Sequence, residues 1–166
     1  MRKFPEPFAD ELFISQENHF EDQVVQAGFQ KEGCSARQSA WADFDQDDQL
    51  DIFVVCGRNA SDGTDRPHQL FQQQPDGTFK NVASAVGLNL PRVGEFVWLE
   101  ANHDEAVDVV ATQDNMMAVY LNQQETFVSE PLGELADNKV KQFTVVDFDQ
   151  DGHLDIYVAG RLKSYL

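Results

Sequence analysis

The chain has 166 residues, of which 29 are acidic and 12 are basic, so its formal net charge is −17. This length suits one domain with a sizeable core, and residues 1–166 are predicted to form a single region. So acidic a surface disfavours nucleic acid and anionic membranes as partners, because both are negatively charged, and no stretch is apolar enough to insert into a bilayer.

The first predicted element is a β-hairpin in the segment LFISQENHFEDQVVQAGF, which begins at Leu12. An apolar strand leads into a polar turn, and Phe20 opens a second strand. Related segments occupy residues 70–88 and 119–133, each with a phenylalanine at the same place. In the first of these, Pro-Asp-Gly at 75–77 is strong turn chemistry. The hairpin is therefore a repeated element.

An acidic phrase of nine residues occurs twice, as DFDQDDQLD at 43–51 and DFDQDGHLD at 147–155. Aspartates stand at positions 1, 3, 5 and 9 of both copies, so four carboxylates share one tight loop. Calcium takes about six to eight oxygen ligands, typically alternate carboxylates and a backbone carbonyl in a short loop with a glycine at its turn. In the second copy, His153 stands where the carbonyl is used and Gly152 is the turn residue. The spacing therefore predicts calcium binding.

Other interpretations of this phrase fit less well. A single acidic phrase is often a solvated turn, but two copies with the same spacing and the same apolar sequel favour a metal. An EF-hand loop carries glutamate at position 12 and is flanked by helices, whereas Val54 and Val158 stand there, in β-rich segments. Magnesium demands tighter octahedral geometry. Asp48 replaces the turn glycine in the first copy, and because aspartate tolerates a left-handed backbone, that loop should still close.

A third, altered copy occupies residues 100–108 with the sequence EANHDEAVD. Glu100, Asn102, Asp104 and Asp108 stand at positions 1, 3, 5 and 9, and an apolar stretch follows. The copy lacks the turn glycine and two of the aspartates, so strong calcium binding is not expected there. Asp104 and Asp108 can still hydrogen-bond backbone amides in a turn, which would preserve a structural role.

One full unit shows the order of the predicted elements. Strands are predicted at 37–42, 51–56, 69–73 and 78–83, with the acidic loop between the first two. Four antiparallel strands in about fifty residues, repeated along the chain, are typical of a β-propeller blade. The predicted fold class is therefore all-β, built from four-stranded antiparallel blades.

The sequences WADFDQDDQLDIFVV and HQLFQQQPDGTFKNVASAVGL together resemble the FG-GAP or VCBS repeats of integrin α-like β-propellers. The resemblance extends from about Leu12 to Tyr165. It implies that each acidic loop joins the first two strands of a blade and binds calcium, and it implies neither a particular ligand nor an enzyme activity. The metal ligands that it implies are Asp43, Asp45, Asp47, Gln49 and Asp51, with Asp147, Asp149, Asp151, His153 and Asp155 in the second loop. Glu100, Asn102, Asp104 and Asp108 are weaker candidates, because the middle copy departs from the family pattern.

The repeats amount to about three blades. Half a blade is predicted at 1–34, full blades at 35–93 and 94–140, and another half blade at 141–166. Propellers typically have about four to eight blades, and incomplete blades leave sheet edges open to other chains. Two interpretations remain: the chain is a piece of a longer propeller, or copies of it assemble into a ring. The hairpin at 12–22 could also complete the last blade of its own chain. In a ring of copies the same completion could occur between chains.

The remaining candidate residues carry weaker signals. Cys34 and Cys56 could pair in an oxidising compartment, but we favour a free thiol because Cys56 lies in a strand that should be buried. Trp41 and Trp98 precede their acidic loops by the same interval, which predicts core packing and not sugar stacking. Chance explains the glycosylation sequon at 59–61. The histidines fall at different places in the repeat and suggest no catalytic set: His19, His68, His103 and His153.

Two functions fit these observations. The first is a non-catalytic module in which calcium stabilises the inter-strand loops while the propeller binds a protein or glycan, as in cell adhesion. The alternative is part of a propeller-fold enzyme acting on polysaccharide, which is less favoured because metal coordination already explains the acidic clusters. The predicted location is extracellular or periplasmic, where calcium is abundant, although the opening residues lack the apolar region of a signal peptide.

Overall fold

The computed structural model of the chain describes residues 11–29, 34–57, 64–113, 116–134 and 139–161. These residues form twelve β-strands and one helical turn, α1 (Ala83–Val86). The strands are β1 (Phe13–Gln16), β2 (His19–Asp22), β3 (Ser35–Ala42), β4 (Asp51–Gly57), β5 (Gln69–Gln73), β6 (Phe79–Asn81), β7 (Val93–Leu99), β8 (Asp108–Gln113), β9 (Met116–Asn122), β10 (Phe127–Glu134), β11 (Lys139–Val146) and β12 (Asp155–Arg161). The predicted all-β fold is confirmed.

The strands form four separate antiparallel sheets. Strands β3 to β6 make one four-stranded sheet and β7 to β10 make another, each in chain order. The hairpins β1–β2 and β11–β12 are two-stranded, and no sheet closes on itself in the described part of the chain. The predicted four-stranded units are therefore confirmed, and they are flanked by two half units. No helix among the described residues is long and apolar enough to cross a membrane.

Each acidic loop closes the same register between the first two strands of its sheet. The residue before the loop pairs with the last aspartate of the loop in all three cases, so the three loops are structurally equivalent. The pairs are Ala42 with Asp51, Leu99 with Asp108, and Val146 with Asp155.

The second strand of each full sheet is almost entirely buried. Strand β4 carries the nearly continuous apolar run DIFVVCG, and β8 begins with the buried residues Asp108 to Ala111. One core cluster lies between the two four-stranded sheets and includes Phe53, Phe96 and Tyr120. A second cluster joins Val110 of β8 to Phe143 of β11. Strand β7 contacts both β3 and β11, so the first strands of successive units are neighbours.

The end of the first full unit differs from the prediction. A strand was expected over 78–83, but β6 stops at Asn81 and α1 begins at Ala83. The Asn81 side-chain carbonyl accepts a hydrogen bond from the Ala83 amide at 3.1 Å, which offers the backbone a turn in place of a ladder. Gly87, with φ of 89°, ends the turn in the left-handed region that glycine adopts readily.

The two tryptophans do not share the environment that was predicted for them. Trp98 packs between the two full sheets, against Phe53 and Phe127 at ring-centroid distances of 5.9 and 6.1 Å. Trp41 is 46% exposed and makes an edge contact with Phe79 at 6.0 Å. The prediction of core packing is therefore wrong for Trp41, because among the described residues no complete sheet covers the face that Trp41 occupies.

Cys34 and Cys56 form a disulfide with 5.2 Å between their Cα atoms. The preference for a free thiol is therefore wrong. Cys56 is buried as predicted, but the register pairs Ala36 with Cys56 and so brings the neighbouring Cys34 within bonding distance. The disulfide ties the ends of β3 and β4 that lie opposite the acidic loop. The sequon at 59–61 lies outside the described residues.

Candidate metal centre

The three acidic loops adopt one backbone shape despite their different sequences. Positions 4 and 6 of every loop have a left-handed backbone, with φ between 60° and 91°. Only one of these six positions is a glycine, so the hydrogen bonds of the loop must hold the others in a conformation that side chains disfavour. The residues are Gln46 and Asp48, His103 and Glu105, and Gln150 and Gly152.

The carboxylate at position 1 organises each of the two full loops. Asp43 accepts hydrogen bonds from the amides of Asp47 at 3.1 Å and Asp48 at 3.0 Å. Asp147 accepts the corresponding two bonds in its own loop at the same distances. These contacts fold the loop back on itself and turn its carboxylates toward a common centre.

The aspartate at position 9 connects the loop to the third strand of the sheet. Asp51 is 1% exposed; its Oδ2 accepts from the Phe44 amide at 3.2 Å and its Oδ1 accepts from the Gln73 amide at 2.8 Å. Burial raises the pKa of Asp51 to about 6, against the effect of those two amides. A raised carboxyl pKa means that its stabilisation is complete below the unfolded value and is lost as the pH rises through 6. A nearby cation would offset this loss at neutral pH.

The position-9 aspartates of the other two loops resemble Asp51. One of them accepts both hydrogen bonds and the other accepts only one. Asp108 is 0% exposed and accepts from the amides of Ala101 at 2.9 Å and Asn122 at 2.7 Å, and burial raises its pKa. Asp155 accepts from the Phe148 amide at 3.0 Å. Within the described ranges, Asp155 has no third-strand amide to accept from, because β12 pairs only with β11.

Carboxylates converge in both full loops. Oxygen atoms of Asp43, Asp45 and Asp51 lie within 4.8 Å of one another, and those of Asp147, Asp149 and Asp151 do the same. Calcium–oxygen bonds of about 2.3–2.6 Å allow two ligands of one ion to be this far apart.

The hydrogen bonding of one atom in the first loop indicates whether a cation would fit between the converging carboxylates. Asp45 Oδ1 is buried and has no hydrogen-bond partner, while Asp45 Oδ2 accepts from the Gln72 side-chain amide. A buried anionic oxygen without a partner is costly. Its neighbours in the converging group are carboxylates, which supply negative charge and no proton. The donor set therefore fits a hard cation that takes oxygen ligands, with Asp43, Asp45 and Asp51 as the residues that would hold it.

The acidic side chains of the middle loop accept hydrogen bonds from groups of the same loop. Glu100 accepts from the amides of Asn102 at 3.0 Å and Asp104 at 3.1 Å. The two Asp104 oxygens accept from the Ala106 amide and from the Asn102 side chain, both at 2.9 Å. Asp108 is buried and connects this loop to the third strand of its sheet, as described above. Among the described residues, this loop contributes no group of three convergent acidic ligands.

Some predicted ligands lie outside the converging groups. Asp47 accepts from the Gln49 amide and from the Gln49 side chain, both at 2.8 Å, so those two residues bond to each other. His153 donates its amide to Asp151 at 2.8 Å. Asp155 accepts from the Phe148 amide, as Asp51 does from the Phe44 amide, but it is absent from the second converging group.

The three loops also touch one another, which the sequence did not reveal. The Gln46 side chain donates to the Glu105 carbonyl at 3.0 Å, joining the first loop to the middle loop. His103 Nε2 lies 3.2 Å from His153 Nδ1, joining the middle loop to the last. These histidines occupy different loop positions, 4 and 7, so the repeat gave no signal for their contact. The loops therefore form one continuous rim.

Asn122 is a further structural residue that the sequence analysis missed. Its side chain donates to the Phe44 carbonyl at 2.7 Å, across the junction between the two full sheets, and its side-chain oxygen accepts from the Glu125 amide at 3.0 Å. The signal available in the sequence was a polar residue directly after the apolar residues of the hairpin's first strand. The middle sheet thus supports the loop of the first sheet directly.

A family model described as an FG-GAP-like repeat matches residues 101–158. The matched region runs from the middle acidic loop through β8 to β11 and the last acidic loop into β12. Proteins with curated descriptions show no significant sequence match to the chain. The repeat suggests a propeller-type recognition or adhesion module, since such repeats are generally non-catalytic. The all-β sheets and the matched region agree, and residues 101–158 are therefore similar to an FG-GAP-like repeat.

Proposed function

We propose that this chain is a calcium-stabilised β-propeller module that recognises a protein or a glycan and has no catalytic role. The observation that supports calcium most directly is the buried Asp45 oxygen without a hydrogen-bond partner, beside the carboxylates of Asp43 and Asp51. The FG-GAP-like repeat supports recognition as the general role.

Electrostatics supplies the physical reason for the cation. Two carboxylates 4.8 Å apart repel by about 1 kcal/mol in bulk water and by about 3–4 kcal/mol at an effective dielectric constant of 20. Three such groups in each full loop therefore oppose the folded conformation. A divalent cation turns this repulsion into attraction, and its coordination locks the left-handed loop positions in place.

The contacts between loops make this local effect relevant to recognition. Because Gln46 bonds to the middle loop and His103 contacts His153, rigidity in the outer two loops is transmitted to the middle one. The middle loop is held by its own hydrogen bonds and needs no cation for its shape. We therefore propose that calcium organises the rim as a unit, and that the ligand binds to this rim or to the adjacent propeller face.

An extracellular or periplasmic location is part of the proposal. The disulfide between Cys34 and Cys56 supports it, because such bonds persist in oxidising compartments and are rare in the cytosol. Calcium sites of extracellular modules have dissociation constants of about 10⁻⁴–10⁻³ M, which suits an environment rich in calcium.

The experiment is thermal unfolding of the full chain in calcium and in chelator. At a free calcium concentration tenfold above the dissociation constant, each site contributes about 1.4 kcal/mol of stability. For a chain of this size 1 kcal/mol corresponds to about 2–4 °C. We therefore expect calcium to raise Tm by about 5–10 °C through the two full loops, and equal melting curves in calcium and chelator would refute the proposal.

Position 1 of the three loops provides matched variants. Asp43→Asn combined with Asp147→Asn should remove the calcium-dependent rise in Tm, because both converging groups lose a charged ligand while the side-chain shape is kept. Glu100→Gln changes the same position in the middle loop and should leave the rise intact. Equal losses in all of these variants would contradict the assignment of calcium to the two full loops.

A further inference from the structure

Two histidines meet where the middle acidic loop contacts the last one. His103 Nε2 lies 3.2 Å from His153 Nδ1, and the two rings are inclined by 60° with their centroids 5.3 Å apart. Neither histidine belongs to the two converging carboxylate groups. Imidazole nitrogen is a preferred ligand of zinc, whereas calcium takes oxygen. We propose that His103 and His153 bind a zinc ion that joins the two loops, a site that is separate from the calcium-dependent function proposed above.

The distance between the two ring nitrogens suits two ligands of one tetrahedral ion. Zinc–nitrogen bonds are about 2.0–2.1 Å long, so tetrahedral geometry places two nitrogen ligands of one zinc ion about 3.3–3.4 Å apart. The observed separation of 3.2 Å is close to that range. Both side chains are exposed, His103 by 59%, so small rotations about their side-chain bonds can direct both lone pairs at the ion.

Glu100 lies where it selects the tautomer of His103. Its Oε2 is 3.6 Å from His103 Nδ1, so the carboxylate favours a proton on that nitrogen and leaves Nε2 with the lone pair that a metal needs. Histidines that bind zinc commonly direct their other ring N–H at a carboxylate in this way. Glu100 is itself held, because its Oε1 accepts from the amides of Asn102 and Asp104. Glu100 is therefore a positioning residue for the zinc site and not a ligand.

The loops hold both histidines in place through their backbones. His103 occupies position 4 of its loop, with φ of 63°, and the His153 amide donates to Asp151 at 2.8 Å. The position-4 residue of the first loop, Gln46, likewise reaches the neighbouring loop, at the Glu105 carbonyl. Position 4 therefore directs a side chain at the next loop in both contacts, and in the second contact this side chain and its neighbour are both imidazoles.

The charge around the two histidines favours a divalent cation. The middle and last loops have four acidic residues each within nine positions, and neither loop contains lysine or arginine. A negative field of this kind concentrates cations at the surface. In the calcium arrangement proposed for the last loop, position 7 offers its backbone carbonyl, so the imidazole of His153 stays available. The zinc ion would thus lie between the loops, beside the carboxylate group, with water in its remaining coordination positions.

The first test is calorimetric titration of the full chain with zinc in saturating calcium, at about pH 7.5 because zinc binds neutral imidazole. We expect one zinc ion per chain. His103→Gln and His153→Gln should each weaken zinc binding by more than about tenfold, since the loss of even an outer partner of a metal site costs about 10–100-fold. His19→Gln is the control, because His19 is an exposed histidine on β2 and should not contribute. Absence of zinc binding to the unaltered chain would overturn the inference, and so would equal zinc affinity in His103→Gln.

Glutamine already stands at the corresponding positions of other loops in this chain, so both substitutions suit the loop backbone. Gln46 and Gln150 occupy position 4, and Gln49 occupies position 7. The rise of Tm in calcium should therefore be the same in His103→Gln and His153→Gln as in the unaltered chain. This comparison separates the zinc site from the calcium proposal, because zinc binding through the histidines does not require a calcium response. Loss of both responses together in the two variants would contradict a separate zinc site.

Imidazole NMR signals identify the ligands directly. The chain has four histidines, and zinc should shift the ring signals of His103 and His153 while leaving those of His19 and His68 unchanged. Glu100→Gln should keep one zinc ion per chain but weaken its binding about tenfold, the lower end of the cost of losing an outer carboxylate. Unshifted His103 and His153 signals at saturating zinc would overturn the inference, and an unchanged zinc affinity in Glu100→Gln would contradict the positioning role of Glu100.

Discussion

Aspartates of one repeated phrase have two different roles at the residue scale. Asp43 and Asp45 belong to a converging carboxylate group, whereas Asp108 is a buried hydrogen-bonded joint between its loop and strand β9. Asp51 combines both roles, because it belongs to the converging group and accepts from the Gln73 amide. A repeated acidic residue can therefore keep a structural role in a loop without a converging carboxylate group, as Asp108 does in the middle loop.

His68 gives the chain a pH-dependent stability that is separate from the acidic loops. Its side chain is 1% exposed, its Nδ1 accepts from the Cys56 amide at 2.9 Å, and burial lowers its pKa to about 4. The folded state therefore holds neutral histidine, while the unfolded chain protonates near the ordinary value of 6.5. The stabilisation is complete above 6.5 and is lost as the pH falls from 6.5 toward 4, at no more than about 1.4 kcal/mol per pH unit.

The variant His68→Asn isolates this effect, because the asparagine side-chain oxygen can accept the same hydrogen bond and does not titrate. Urea unfolding in chelator should show that the unaltered chain loses more stability than the variant between pH 7 and pH 5. Parallel pH profiles for the two proteins would contradict the assignment.

The features that spacing within one repeat could indicate are local ones. The position-1 aspartates and the turn at Gly152 depend on contacts within one loop. The environment of Trp41 and the contact between His103 and His153 depend on which unit lies beside them, and spacing within one repeat does not contain that information. The role of Asn122 likewise extends across a junction between sheets.

At the element scale, an acidic loop closes one end of the hairpin that the first two strands of each unit form. The first hairpin is also closed at the other end by the disulfide between Cys34 and Cys56. Strand positions could be predicted because β4 and β8 carry apolar runs and the β5–β6 turn carries Pro-Asp-Gly. The disulfide could not, because it depends on the register that pairs Ala36 with Cys56.

Removing the disulfide should destabilise the chain by about 3 kcal/mol, the entropic value for a closed loop of about 22 residues. The double variant Cys34→Ser with Cys56→Ser should therefore have a lower urea midpoint than the oxidised chain. Reductant should lower the midpoint of the unaltered chain to a similar level and should leave the double variant unchanged. A midpoint that neither reductant nor the substitutions alter would show that the bond contributes nothing.

At the scale of the whole molecule, neighbouring units hold one another through both packing and loop contacts. Phe53 and Phe96 pack at 4.8 Å between the two full sheets, and the loops meet along one rim. The sequence predicted four-stranded units and half units because its repeats are visible by eye. The faces that remain exposed, among them those of Trp41 and Tyr157, appear only in three dimensions.

Calorimetric titration of the chelator-treated chain with calcium tests the central claim most directly, because it counts the sites. Convergence of carboxylates in two of the three loops predicts two calcium ions per chain. Asp43→Asn with Asp147→Asn should abolish the binding, and Glu100→Gln should leave the count at two. Absence of binding in the unaltered chain would contradict the account, as would a count of two that persists when both position-1 aspartates are replaced.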